Sequence, residues 1–157
     1  MNSIGMLKAI LYGLLVGFAI PASTAEDENA LMGTWQLVRF ENFDETGSSH
    51  PFGENPIGYF IYTQDGHVSI HIQTAEQPKD WASLKTPQDE GKPGPWYVGY
   101  FGKYSVDSDA GTVTHHVEGG TILGYPGTDQ ERPFVLDGDR LVIGVKGEWE
   151  RELLRVR

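Results

Sequence analysis

The chain has 157 residues, a formal net charge of −10 and no cysteine. That acidity makes nucleic acid and anionic membrane surfaces poor partners, and the missing thiols exclude disulfides, zinc–thiolate sites and cysteine nucleophiles. A chain of this length suffices for one domain with a real core, and here the core must hold the fold alone.

In chain order, residues 1–25 read as a cleaved signal peptide. Met1 to Lys8 brings one positive charge, Ala9 to Ile20 is apolar apart from Tyr12 and two glycines, and Pro21-Ala22-Ser23-Thr24-Ala25 sets small residues before a cut after Ala25. The apolar run falls short of the roughly 20 residues that span a bilayer. With no cysteine at the cut, a lipid-modified N-terminus is excluded. The expected mature domain is 26–157, periplasmic or secreted, with no stable membrane insertion. Those 25 residues carry one lysine and no acid, so 132 residues with a net charge of −11 remain.

From Gly33 onward the period is that of strands, rich in Val, Ile, Thr, Tyr, Phe and Trp, with turn signals at short intervals. The first expected strand is Thr34 to Phe43, followed by a Gly/Ser/Pro-rich loop, Glu45 to Pro56. Ile57 to Thr63 and His67 to Gln73 flank Gln64-Asp65-Gly66, a tight hairpin signal. Thr74 to Pro95 follows, a long proline-containing segment with a lone Trp81. It is read either as a lid over the barrel mouth or as an insertion without a role. Trp96 to Val106 and Thr112 to Glu118 flank a turn at Asp107 to Gly111. Arg132 to Leu136 and Arg140 to Val145 flank Asp137-Gly138-Asp139, and Glu148 to Val156 ends the chain. No helix of globular length is expected. Eight sequential strands joined mostly by short turns predict an all-β fold, a single antiparallel up-and-down barrel, because closure removes exposed edges. Such a barrel can hold one small ligand.

Residues two apart on a strand share a face. The valines of Val113, His115 and Val117 vote that His115 points inward and His116 outward. Arg132 shares its face with Phe134 and Leu136, and Tyr100 and Tyr104 share theirs with Val98 and Val106. The inward polar set, and the candidate ligand-binding set, is therefore Tyr100, Tyr104, His115 and Arg132. An inward arginine suits a carboxylate or enolate, a histidine can donate, accept or shuttle a proton, and tyrosines add stacking area and a hydroxyl. The bland alternative is structural: His115 as a satisfied core histidine, Arg132 paired with Glu118 or Asp129. No metal site is expected. His67 and His71 lie about 13 Å apart along a strand, and His115 and His116 face opposite ways. No nucleophile elbow, phosphate loop, dinucleotide fingerprint or zinc-protease motif is present, so no cofactor is expected.

Gly33-Thr34-Trp35 resembles the G-x-W signature of the lipocalin superfamily. Pro51 to Tyr59 with Tyr62 and Asp65-Gly66-His67, Tyr100 to Tyr104 with Val113 to Gly119, and Gly127 to Gln130 with Arg132, Phe134 and Leu136 to Leu141 together resemble the bacterial and fungal lipocalin-like domain family. The blocks occur in family order and cover nearly all of the mature chain. The resemblance implies a lipocalin-type barrel closed at one end by Trp35 under an arginine of the last strand, assigned to Arg151 with Arg155 as the other candidate. The chain departs from many relatives at Gly124-Tyr125-Pro126-Gly127, where they have a Pro-Asn-Trp-x-Gly pattern, which leaves one pocket wall open.

Three functions follow as expectations. The first is an exported protein binding a small, mainly hydrophobic or weakly acidic molecule in its barrel. The second is an enzyme on the same barrel, a cyclase, isomerase or hydratase with His115 as acid or base and Arg132 stabilising oxyanion charge. The third is a solid-packed structural or interaction barrel with no ligand.

Overall fold

The computed structural model describes residues 30–76 and 97–157. The signal-peptide segment and most of the proline-containing segment with Trp81 lie outside the described residues. Among those described there is no helix. The strands are β1 (Gly33–Asp44), β2 (Gly47–Ser49), β3 (Ile57–Tyr62), β4 (His67–Gln73), β5 (Tyr97–Asp107), β6 (Thr112–Gly120), β7 (Asp129–Asp137), β8 (Arg140–Val145) and β9 (Trp149–Arg155). Each pairs antiparallel with its neighbour in the order β2-β1-β3-β4-β5-β6-β7-β8-β9, and β9 returns to β1. Eight strands thus close a barrel, with β2 folded back on the end of β1 as a short annex. Closure leaves no long edge to template aggregation.

The tight turns follow from local chemistry. At Asp137-Gly138-Asp139, Gly138 takes φ +58°, and Gly66 takes φ +81° in the β3–β4 turn, a region that a Cβ disfavours. Two departures from expectation concern extent. The loop after β1 contains β2, and β7 begins at Asp129, three residues before Arg132, because β6 continues to Gly120 and His116 pairs with Asp129. Register shifts mark two bulges, one at Val38 on β1 and one at Glu118 on β6. The first reverses the alternation along β1. Leu37 pairs with the buried Leu153, but Phe40, not Arg39, meets Arg151 across the β1–β9 ladder.

Up-and-down topology puts the turns after β3, β5 and β7 at one end of the barrel, together with the start of β1 and the end of β9. That end is packed. Trp35, Leu37, Tyr62, Val113, Leu141 and Leu153 are all at most 2 % exposed, and burying an apolar side chain of this size stabilises by about 1.5–3 kcal/mol. Trp35 donates its indole N–H to the Leu31 carbonyl at 2.7 Å. The arginine over its ring is Arg155, at 4.0 Å, donating also to the carbonyls of Met32 and Ala30. This corrects the assignment of Arg151. Register decides it: Trp35 pairs with Arg155, while Arg151 pairs with Phe40 further along β1 and lies 3.3 Å over that ring.

Candidate functional site

Toward the opposite end the described residues enclose a cavity. The cavity, of about 500 Å³, opens among the loops after β1, β6 and β8, within the size range of small-molecule pockets. Strand residues Phe60, Ile70, Ile72, Val98 and Ile143 form its apolar walls, while Phe52 and Tyr125 reach in from loops. Phe40 and Phe52 meet edge to face with centroids 4.7 Å apart, and Tyr100 and Tyr125 do so at 5.7 Å. The interior is therefore not packed throughout.

Into this apolar space project two guanidinium groups, Arg132 from β7 and Arg151 from β9. Arg132 donates to the Tyr125 hydroxyl at 3.3 Å and lies 5.7 Å from the Trp149 ring. Arg151 donates to the carbonyls of Glu41 and Glu150 and to Asn42 Oδ1. Among the described residues neither meets a carboxylate; the ion pairs belong to other arginines and to histidines of the surface and rim. Burial, and then the positive charge of Arg132, pulls Arg151 down to about 10. It still carries its proton at neutral pH. Burial works against the charge of Arg132 as well, but the hydroxyls of Tyr100 and Tyr125 outweigh it and the pKa is raised.

The four inward polar residues are all directed to the interior, but at two depths. Tyr100 and Arg132 line the cavity. His115 lies under the floor, fully buried, with its Nδ1 2.8 Å from the Tyr100 hydroxyl and its Nε2 2.9 Å from the Tyr62 hydroxyl. Tyr104 lies in the packed half, edge to face with Tyr62, and donates to the Thr63 carbonyl at 3.0 Å. Burial above all, then the charges of Arg132 and His116, lowers the His115 pKa to about 3, so the ring is neutral in ordinary buffers. A direct acid or base role on a cavity molecule is closed to His115 by position: Tyr100 stands between. The expected pairing of Arg132 with Glu118 or Asp129 is not made; Asp129 instead accepts from the outward His116 at 2.7 Å.

Strand alternation alone missed several wall residues. Phe40 and Asn42 face inward only because of the bulge at Val38. Tyr125 comes from the Gly124–Gly127 stretch where the family pattern is broken, and it supplies the Arg132 contact. On the outer surface, Ser105, His116 and Asp129 are joined in that order, as are Ser69, His71 and Tyr97. Both chains sit on the convex side of the sheet, away from the cavity. Among the described residues no cluster of three or more His, Cys, Asp or Glu could hold a metal ion, and no helix is long and apolar enough to cross a membrane.

A closed eight-stranded antiparallel barrel, packed at one end over a G-x-W tryptophan and hollow at the other, defines a lipocalin-type barrel. The sequence pattern of the family described as lipocalin-like domain matches residues 32–153, and the chain belongs to that family. No curated protein matches it.

Proposed function

We propose that this protein is an exported binding protein, periplasmic or secreted, that holds a small, mainly hydrophobic or weakly acidic molecule in its barrel. The observation that carries the reading is the cavity of about 500 Å³ with aromatic and aliphatic walls. A barrel whose only task were structural gains nothing from leaving such a cavity in its core, since unfilled volume forfeits dispersion contacts. The polar groups are few and converge, as in small-molecule sites generally.

Native mass spectrometry of the protein from its own host should reveal a co-purified small molecule. In parallel, Val98→Phe, on the cavity wall, should fill the space without breaking a hydrogen bond. The expected outcome is at least a tenfold loss of affinity for the hydrophobic dye Nile red, with cooperative unfolding retained. Equal dye binding by the wild type and the folded variant would reject the cavity as the site.

A further inference from the structure

The side chains that line the cavity and carry polar atoms offer it hydrogen rather than lone pairs. Arg132, Arg151 and the Trp149 indole can only donate. Asn42 Oδ1 already accepts from Arg151 at 2.9 Å, and the Tyr125 oxygen accepts from Arg132. The Asn42 amide N–H groups and the Tyr125 hydroxyl hydrogen are the parts left to offer. Tyr100 is the undecided member, because a hydroxyl donates or accepts.

Its role is decided beneath the floor. Among the described residues the Tyr62 hydroxyl has one hydrogen-bond partner, His115 Nε2, and Tyr62 is 1 % exposed. Were the ring hydrogen on Nε2, the Tyr62 hydroxyl hydrogen would be buried with no acceptor, which is costly. Tyr62 therefore donates to Nε2. The neutral ring then carries its hydrogen on Nδ1 and donates it to the Tyr100 oxygen at 2.8 Å. Tyr100, receiving from below, has its own O–H left to donate, and the space it faces is the cavity.

We propose that the barrel selects an organic anion with an apolar body, a carboxylate being the simplest, received by Arg132, Arg151 and a Tyr100 hydroxyl that the Tyr62–His115 pair orients as a donor. This rests on the reading of the barrel as a binding protein. Two guanidinium groups that meet no carboxylate among the described residues call for an anion. A third donor held in one orientation favours an acceptor-only head over an alcohol, which must also place its own hydrogen. His115 and Tyr62 are positioning residues, and Tyr100 touches the ligand.

The test uses the full protein with decanoate and 1-decanol as probes, by calorimetry at pH 7. Decanoate is expected to bind at least tenfold more tightly than decanol. Tyr100→Phe and Arg151→Met should each erase most of that preference. Tyr62→Phe, which removes no cavity atom, should lower the decanoate preference severalfold, an effect that a purely structural role would not confine to the acid. Long-range proton–nitrogen NMR on the ligand-free protein should find the His115 ring hydrogen on Nδ1. Equal binding of the two probes, or tighter binding of decanol, would overturn the anion selection while leaving the binding protein intact. Binding of neither would overturn the binding reading itself. A ring hydrogen found on Nε2 would overturn the relay whichever probe binds.

Discussion

At the scale of single residues, the cavity arginines and the floor histidine are held against the cost of burial. Among the described residues Arg132 meets neutral partners, the hydroxyls of Tyr125 and Tyr100 and two rings at nearly 6 Å. Arg155 anchors the packed end. Removing it by Arg155→Ala takes away the cation over Trp35 and the donors to two carbonyls, and should cost about 1–2 kcal/mol. His115 supplies a pH signature. Its pKa is depressed to about 3 from 6.5, so between those values the unfolded chain holds a proton that the native one does not. Stability then rises with pH across that window and is lost as pH falls from 6.5 toward 3. Urea unfolding at pH 6 and pH 5 should show a slope near 1.4 kcal/mol per unit from this group. A flat profile there would mean that the ring is not held neutral.

At the scale of elements, the feature that makes a pocket possible is the bulge at Val38. Before it, β1 sends Trp35 and Leu37 into the packed half; after it, Phe40 and Asn42 turn inward to the cavity. A strict alternation would instead aim Arg39 and Glu41 inward together and strip Arg39 from Glu152 on the outside. Deleting Val38 removes the extra residue and leaves Leu37–Leu153, Arg39–Glu152 and Phe40–Arg151 as consecutive pairs, so Phe40 and Asn42 should stay inward. The expected cost is therefore modest, about 1 kcal/mol, read as a small fall in urea midpoint with cooperativity retained. Alternation did correctly separate His115 from His116 and Tyr100 from Phe101, because β5 and β6 are regular where those residues lie. It carried no information on depth along the barrel, so Tyr104 and His115 were grouped with Tyr100 although they sit below the cavity.

At the scale of the whole molecule, stability and function occupy opposite ends. The packed end gathers Trp35, Leu37, Tyr62, Val113, Leu141 and Leu153, and the other end opens into a cavity. Local opening should follow the same division. Amide hydrogen exchange should be slower at Tyr104, Val113 and Leu153 than at Val98, Ile72 and Gly120, and filling the cavity with ligand should slow the second group more than the first. Equal protection at both ends would contradict that division. The excess of acid over base sets a mutual repulsion between copies that expose Tyr59, Phe101 and Leu154.

The amino-acid sequence by itself determined the all-β class, the eight barrel strands and the inward set. Strand alternation and turn residues are local signals, and hairpins between sequential strands leave little freedom in topology. The family blocks from Gly33 to Leu141 added the barrel type. Only the tertiary structure decided which arginine caps Trp35, since Arg151 and Arg155 share a face and differ solely in register with β1. It alone brought Arg151 beside Arg132, set Tyr125 in the wall and left a cavity in the interior. Those facts depend on strands that meet across the closure of the barrel, on a one-residue bulge, and on loops whose path no periodicity encodes.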